Sequence, residues 1–237
     1  MDFFTSLKKV VAESGPKPVV TWLSDIGRIE LSAVTFANAI SKASNFLVDG
    51  LELDEDSSIS VDLGNHWQSP VWLGAALATG ITITNQDSSI SFGTNAKAST
   101  WMDSPEKFVV ISQDPFGMPD KNVDPKFVNG SAEVRNFGDY FAPTWPASPE
   151  HKVLTSEPAS FSWDELHQHA EQLAAKHKIE AGKSYGLLGA LDLVDRAVFQ
   201  VVIPIVLRSS VVLVEQTTVN QGDIMRQEKL DQILELS

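Results

Sequence analysis

The chain contains no cysteine and few basic residues. Without cysteine it has no disulfide bond, no thiolate metal site and no cysteine nucleophile, and this composition suits a reducing, cytoplasmic location. It carries 18 lysines and arginines against 31 aspartates and glutamates. The resulting net charge of −13 opposes binding to nucleic acid and to anionic membranes. We therefore expect the partner to be a small molecule or another protein.

The sequence also lacks a long apolar run. Its most apolar stretch, residues 197–207, contains Gln200 and Pro204 and ends at Arg208. That is short of the roughly 20 residues that a membrane-spanning helix needs. The N-terminal segment "MDFFTSLKKVVAESG" places its lysines after the apolar pair, the reverse of a signal peptide, and predicts an amphipathic helix. With 43% hydrophobic residues, the chain can fill a substantial core.

One sequence pattern occurs twice. The stretches "HWQSPVWLGAALATGITIT" (66–84) and "RAVFQVVIPIVLRSSVVLV" (196–214) each predict an apolar helix, a short break and a strand. A shift of 130 residues also superposes Ser32 on Ser162, both predicted helix N-caps, and Gly80 on Ser210. Glu165 completes a capping box with Ser162. Each half therefore predicts the order helix, strand, helix, strand.

The two repeated units cover about residues 19–84 and 160–215. The connector between them, 85–158, is rich in Asp, Pro, Gly and Ser and contains one clear strand at 107–112. Strands that alternate with helices favour parallel pairing with right-handed crossovers. The predicted fold class is therefore α/β, with mostly parallel sheets flanked by helices.

Several catalytic and metal-binding motifs fail on their context. "GKSYG" (182–186) matches the letters of a hydrolase nucleophile elbow and the end of a phosphate-binding loop, but both need a helix after the serine. A strand follows Ser184 instead. His167 and His169 point to different sides of a predicted helix, and His177 lies nearly three turns away, so the three histidines cannot share a metal ion. We predict no metal site and assign no catalytic residue.

The repeated units resemble the N-terminal part of adenylate-forming enzymes, the superfamily of acyl-CoA synthetases, luciferases and peptide-synthetase adenylation domains. The resemblance rests on "LSAVTFANAISKASNFLVDGL", "DEDSSISVDLGN", "YGLLGALDLVDR" and the two stretches at 66–84 and 196–214. More narrowly, the chain resembles a short, uncharacterised actinobacterial family related to those enzymes. The resemblance implies a single domain over 1–237, made of two similar α/β subdomains related by a pseudo-twofold axis.

The chain departs from these enzymes at the phosphate-binding loop. They carry a Ser/Thr/Gly-rich loop ending in Pro-Lys, whereas "TWPASPEHKVLTSEPAS" (144–160) contains no glycine. Lys152, Thr155 and Ser156 are the candidate vestige of that loop. The later adenine-binding and C-terminal segments have no counterpart, so we expect a truncated relative. No motif supports ATP or acyl-CoA as a cofactor.

Candidate ligand-binding residues follow from the same resemblance. "GNHW" (64–67) and "ALDLVDR" (190–196) follow predicted strands, and open parallel sheets bind ligands at the carboxyl ends of their strands. A third segment, "EVRNFGDYFAP" (133–143), lies in the otherwise unassigned connector and is either a turn with a buried aromatic residue or a loop over the cleft. For each residue singly, helix capping or a surface ion pair remains the alternative. The candidates are His66, Trp67, Asp139, Tyr140, Asp192, Asp195 and Arg196.

Three functions remain open from the sequence. The first is a non-catalytic relative that binds a nucleotide, an acyl-type ligand or a protein in the cleft between the subdomains. The second is an AMP-forming, acyl-CoA synthetase-like ligase that completes its site with another subunit. The third is a structural assembly subunit; loss of the covering regions would expose apolar surface, which predicts a homo-oligomer.

Overall fold

The chain folds into two β-sheets with helices packed against them, in a computed structural model that describes residues 2–102, 107–145, 148–215 and 217–236. The helices are α1 Phe3–Ser14, α2 Ala33–Asn45, α3 Gln68–Thr79, α4 Asn95–Ala98, α5 Gly130–Glu133, α6 Trp163–Lys176, α7 Leu193–Ala197, α8 Ile203–Val206 and α9 Gln221–Glu228. The strands are β1 Pro18–Ser24, β2 Gly27–Ser32, β3 Ser58–Asp62, β4 Thr82–Thr84, β5 Ile90–Gly93, β6 Lys107–Val110, β7 Val128–Asn129, β8 Lys152–Ser156, β9 Ala159–Ser162, β10 Ser184–Leu188, β11 Ser210–Val214 and β12 Gln232–Glu235.

Both sheets are mostly parallel. Sheet A has the strand order β12-β10-β11-β1-β2, and sheet B has the order β7-β6-β5-β3-β4-β8-β9. The only antiparallel pairs within the described sheets are β1 with β2 and β8 with β9, and each forms an edge hairpin. The predicted α/β class, with two mostly parallel sheets flanked by helices, is confirmed.

The two units exchange their hairpins. Hairpin β1–β2 precedes the helix of the first unit, yet β1 pairs with β11 of the second unit. Hairpin β8–β9 precedes the helix of the second unit, yet β8 pairs with β4 of the first. Both hairpins carry a register shift near their first residue. The repeat therefore includes two hairpins that the sequence patterns do not reveal, because their pairing partners lie far away along the chain.

The repeat does not keep one register. Ser32 and Ser162 both cap helices, accepting hydrogen bonds from the backbone N–H groups of Thr35 and Glu165. The shift of 130 residues holds there. Gly80, however, corresponds to Arg208 and not to Ser210. Gly80 (φ 82°) and Arg208 (φ 53°) each follow the end of a helix and adopt positive φ. The second helical segment, residues 193–206, includes a π-helical turn at Val198–Val202 and is longer than α3.

The two repeated helical segments contact each other in the core. Every residue of α3 is buried, and so are all residues from Val198 to Ile205. A helix that is apolar all round is stable only when every face is covered, which explains why neither stretch shows a polar stripe. Gly74 lets α2 approach α3 closely, because a Cβ atom there would lie 2.7 Å from the Cδ1 atom of Ile40.

The connector contributes more structure than predicted. Besides the expected strand at 107–112, observed as β6, it supplies β5 and β7, and β5 lies directly beside β3 in sheet B. These strands are too short to show a periodicity of their own. The predicted N-terminal helix is α1, capped by Asp2. Among the described residues, no helix has the length and apolarity to cross a membrane.

Candidate functional site

A cleft of about 440 Å³ opens where the carboxyl ends of β3, β10 and β11 meet. It brings together the segments "GNHW" and "ALDLVDR", as the strand-end argument predicts. The structure therefore joins one loop from each repeated unit in a single cavity. Its lining consists of Asp62, Gly64, Asn65, Gly189, Ala190, Leu191, Arg196, Val214 and Glu215.

Asn65 connects the two units at the floor of this cleft. Its Nδ2 atom donates hydrogen bonds to the main-chain carbonyls of Gly189 (3.1 Å) and Val214 (3.4 Å). Gly189 has φ of 99°, and a Cβ atom there would lie 2.0 Å from the carbonyl oxygen of Leu236. Only glycine fits that position, because L side chains rarely adopt this conformation and no space is available. The cleft floor is thus fixed by side-chain and backbone geometry together.

Gln200 supports the cleft from beneath, and the sequence patterns did not identify it as a site residue. Its buried side chain accepts a hydrogen bond from Ser69 Oγ (2.8 Å) and donates to Asn65 Oδ1 (3.1 Å) and to the Gly64 carbonyl (3.3 Å). A buried amide needs such partners, since unmade hydrogen bonds are costly in the interior. The available signal was a glutamine inside an otherwise apolar run.

Arg196 is the candidate residue that lines the cleft with a charge. Its side chain is only 12% exposed, and its Nε atom is buried without a hydrogen-bond partner among the described residues. The nearest carboxylate is Asp62, with Nη1 and Oδ1 3.8 Å apart, and Lys97 also pairs with Asp62. Burial lowers the pKa of Arg196, and the negative charges of Asp62 and Asp192 partly offset that effect. An arginine nevertheless stays protonated at neutral pH.

Asp192 and Asp195 lie on the first turn of α7 and do not line the cleft. Asp192 is the N-cap, and its Oδ1 accepts a hydrogen bond from the Asp195 backbone N–H (2.8 Å). Burial, with the neighbouring charge of Asp192, raises the pKa of Asp195. Their observed contacts orient the helix that carries Arg196.

His66 and Trp67 lie beside the cleft in packed surroundings. His66 is fully buried, with its ring centroid 4.9 Å from that of Trp22. Its Nδ1 accepts a hydrogen bond from the Gln68 backbone N–H (3.4 Å), and its Nε2 has no partner among the described residues. Burial lowers the pKa of His66 to about 4, against a small opposing effect of Asp114. Trp67 donates from Nε1 to the Pro115 carbonyl (3.1 Å).

The loop with Asp139 and Tyr140 lies against the end of α2. Asn45 holds it there by donating from Nδ2 to the carbonyls of Gly138 (2.9 Å) and Tyr140 (2.8 Å). Both candidate side chains are exposed, Tyr140 at 74%, and neither lines the cleft.

The candidate phosphate-loop residues form part of a tight hairpin. Lys152, Thr155 and Ser156 lie on β8, and only Glu157 and Pro158 separate it from β9. The ammonium group of Lys152 pairs with Glu165 Oε2 (2.6 Å), and this pairing, with hydrogen bonds from Ser162, lowers the pKa of Glu165 to about 2. Residues 146 and 147 of the same Pro-rich segment lie outside the described residues.

The three histidines of the second unit diverge. His167 Nε2 lies 3.6 Å from Glu171 Oε1. The His169 ring stacks on that of Phe161, and the His177 ring contacts the Phe199 ring edge-on. Within the described residues, no group of three His, Asp or Glu side chains could hold a metal ion.

Comparison with solved structures decides the fold. An acyl-CoA synthetase from Brucella canis superposes with a TM-score of 0.81 over 99% of this chain and 47% of its own length, at 10% identity. The chain has the fold of the N-terminal domain of acyl-CoA synthetases. Coronafacic acid ligase from Pectobacterium brasiliense superposes with a TM-score of 0.75 over 99% of this chain and 50% of its own length, at 14% identity. Acetoacetyl-CoA synthetase from Streptomyces lividans superposes with a TM-score of 0.76 over 99% of this chain and 42% of its own length, at 10% identity.

Sequence comparison is more limited. A curated Mycobacterium tuberculosis protein, described only as a member of a numbered family, is 29% identical over 151 residues. The match covers 56% of this chain and 58% of that relative, so the chain spans less than two thirds of its length. No family model matches the sequence.

Proposed function

We propose that this chain binds a small organic anion, of nucleotide or acyl type, in the cleft and does not itself catalyse adenylate formation. The observation that carries the proposal is Arg196. Its guanidinium is largely buried, its Nε atom has no hydrogen-bond partner among the described residues and Asp62 lies 3.8 Å from Nη1, so burial is costly unless a further partner satisfies it. A carboxylate or phosphate is the partner that arginine geometry fits best.

The cleft also suits the rest of such a ligand. Leu191 and Val214 supply apolar walls, Asn65 supplies an amide at the floor, and Glu215 supplies a carboxylate. Glu215 already accepts a hydrogen bond from Trp22 Nε1 (2.8 Å), which limits its freedom to move. A volume of about 440 Å³ lies within the range typical of small-molecule sites.

The hairpin β8–β9 argues against catalysis. Phosphate binding by a loop needs several backbone N–H groups directed at one point, usually provided by glycines. The turn between these strands consists of Glu157 and Pro158, and proline has no N–H group to donate. Lys152 is already paired with Glu165. These features favour binding without ATP activation.

A thermal-shift screen with nucleotides, acyl-CoAs and carboxylic acids tests the proposal. A ligand at a hundred times its dissociation constant stabilises the folded state by about 2.7 kcal/mol. We expect a hit that Arg196→Met removes and that the matched surface variant Arg226→Met retains. A hit that survives Arg196→Met, or the absence of any hit, would contradict the assignment of this cleft.

ATP–pyrophosphate exchange separates binding from the ligase alternative. We expect no exchange with the carboxylic acids that stabilise the chain, alone or with co-purifying proteins. Exchange that depends on a second protein would favour a ligase with a shared site.

An assembly function is the second candidate, and exposed apolar side chains favour it. Phe116 is 78% exposed and Met118 54% exposed, on a loop fixed by hydrogen bonds from their backbone N–H groups to Asp114 Oδ1. Two large apolar side chains exposed close together on one loop are a candidate interaction surface. Light scattering tests this function. An oligomer that dissociates when Phe116→Ser and Met118→Ser are introduced would support it.

A further inference from the structure

A smaller pocket, of about 180 Å³, lies between α2 and α3. The loop at residues 116–117 and the segment 131–135, which begins within α5, complete its walls. Sites for drug-sized ligands usually measure about 300–1,000 Å³, so this pocket suits a compact molecule. It shares no lining residue with the cleft described above.

Hydrogen bonds hold the walls of this pocket in place. Trp67, the residue before α3, donates from Nε1 to the Pro115 carbonyl (3.1 Å). Further along the same loop, the Gly117 carbonyl accepts a hydrogen bond from Arg135 Nη2 (2.8 Å). Gly117 also lies close to the Trp67 ring, since a Cβ atom there would be 3.1 Å from Cζ2. The loop is therefore tied both to α3 and to the turn after α5, and the pocket is formed before any ligand binds.

The charged residues of the lining are both basic. Lys42 and Arg135 line the pocket, and none of the lining residues that the structure describes is an aspartate or a glutamate. Neither side chain forms an ion pair with a described carboxylate. Lys42 Nζ donates to the Phe137 carbonyl (3.1 Å), which uses one of its three protons. The pocket therefore favours an anion, although the whole chain carries a net charge of −13.

Trp72 supplies a further donor to the same pocket. It is 1% exposed, and its Nε1 atom has no hydrogen-bond partner among the described residues. An indole N–H group can only donate, and a buried donor without an acceptor is destabilising. Two other polar side chains of the lining are engaged elsewhere, because Gln68 Nε2 donates to the Ser112 carbonyl (2.7 Å) and Ser131 Oγ accepts from the Ser112 N–H group (2.9 Å). A ligand that carries acceptors would supply the missing partner.

The remaining walls are apolar and partly aromatic. Trp67, Val71 and Val134 line the pocket together with Phe116, which is 78% exposed. A compact apolar group in the pocket would contact these side chains and cover part of the exposed Phe116 ring. Planar rings favour offset-stacked or edge-to-face contacts with tryptophan and phenylalanine. An aromatic ring is therefore the apolar body that these walls fit best.

We propose that this pocket binds a small aromatic carboxylate. Its carboxylate accepts hydrogen bonds from Lys42, Arg135 and Trp72 Nε1, and its ring packs against Trp67 and Phe116. Lysine and arginine bind carboxylates through charge-assisted hydrogen bonds, which are about twice as strong as bonds between neutral groups. None of these contacts involves a residue of the cleft, so this site is independent of the function proposed there.

Calorimetric titration of the full chain with benzoate and with benzamide, its neutral counterpart of nearly equal shape, tests the proposal. Benzamide keeps the ring but lacks the negative charge, and it places N–H groups where benzoate has an acceptor. We expect benzoate to bind at least about tenfold more tightly, because the charge-assisted hydrogen bonds are lost with benzamide. Equal affinity for the two probes, or no binding of either, would overturn the proposal.

Two substitutions locate the site. Lys42→Met keeps the aliphatic chain, so we expect benzoate binding to weaken about fivefold while benzamide binding changes little. Lys176→Met is the matched control, since Lys176 also lies in the last turn of its helix but outside the pocket. Ala39→Leu should fill the pocket and abolish the binding of both probes, and thermal unfolding checks that each variant is folded. Benzoate binding that is unchanged in both Lys42→Met and Ala39→Leu would overturn the proposal.

Arg196→Met separates this site from the cleft. We expect benzoate to bind Arg196→Met with unchanged affinity, because Arg196 does not line this pocket. Benzoate binding that survives Arg196→Met and is weakened in Lys42→Met therefore belongs to this pocket. The reverse pattern would place benzoate in the cleft, which would overturn this proposal and support the function proposed for the cleft.

Discussion

Asn65 Nδ2 lies 3.1 Å from the carbonyl oxygen of Gly189, and this hydrogen bond joins two residues 124 positions apart. Asn65 follows β3 of one repeated unit, and Gly189 follows the corresponding strand, β10, of the other. The bond forms at the floor of the cleft, where Gln200 also donates to Asn65. Folding and the shape of the cleft therefore depend on the same few polar contacts.

Replacement of Gln200 should destabilise the protein strongly. Gln200→Leu would leave Ser69 Oγ, Asn65 Oδ1 and the Gly64 carbonyl without their partner in the interior. We expect the free energy of unfolding to fall by about 2–4 kcal/mol in urea titrations. The effects of Gln200→Leu and Ser69→Ala should not add, because they remove the same bond. Simple additivity in the double variant would contradict the network.

Replacement of Arg196 should cost little stability. Its side chain is largely buried and its Nε atom has no hydrogen-bond partner among the described residues, so Arg196→Met removes a desolvated charge and keeps most of the apolar volume. We expect the free energy of unfolding to change by less than about 1 kcal/mol or to rise. A loss above about 2 kcal/mol would instead indicate a structural ion pair with Asp62.

Two glycines at the cleft should respond differently to alanine. Gly189→Ala would place its Cβ atom 2.0 Å from the Leu236 carbonyl oxygen, so β12 must move. Gly64 has φ of 61° but open space where a Cβ atom would lie, so Gly64→Ala should cost only about 1–2 kcal/mol for the left-handed conformation. Urea unfolding of both variants checks this, and equal losses would contradict it.

His66 should make stability depend on pH. Its pKa is about 4 in the folded protein, because burial disfavours the charged form, against a reference value of 6.5. The unfolded chain therefore binds more protons between these values, and the free energy of unfolding falls as pH drops from 6.5 to 4. The shift corresponds to about 3 kcal/mol across that window. Below pH 4 this residue should cause no further loss.

The ¹H NMR signal of the His66 ring checks this prediction directly. We expect no titration of that signal between pH 8 and 5. In urea titrations, His66→Phe should flatten the pH dependence between pH 6.5 and 5. An ordinary titration midpoint near 6.5 would show that the imidazole is hydrated in the folded protein.

Much of the fold was predictable because its signals are local. The N-caps Ser32 and Ser162 bond to backbone N–H groups three residues away, and the apolar helices 68–79 and 193–206 follow from composition alone. The hairpins were not predictable in the same way. β1 reads as a short apolar segment, and its position beside β11 depends on pairing with residues about 190 positions later.

The candidate site was predictable only in part. The rule that ligands bind at the carboxyl ends of parallel strands located "GNHW" and "ALDLVDR" at one cleft. It did not distinguish residues within those segments. Arg196 faces the cavity whereas His66, from the other segment, is packed against Trp22, because side-chain direction depends on where each loop turns.

The sequence by itself determined the helix, strand, helix, strand order of each repeated unit, the N-caps Ser32 and Ser162, the acidic net charge and the absence of cysteine chemistry. These properties depend on residue type and on interactions within a few positions. Only the tertiary structure decided the exchange of hairpins, the burial of His66, the role of Gln200 beneath the cleft and the lack of a hydrogen-bond partner for Arg196 Nε among the described residues. Each of these depends on atoms brought together from distant parts of the chain, where packing and desolvation outweigh local preference.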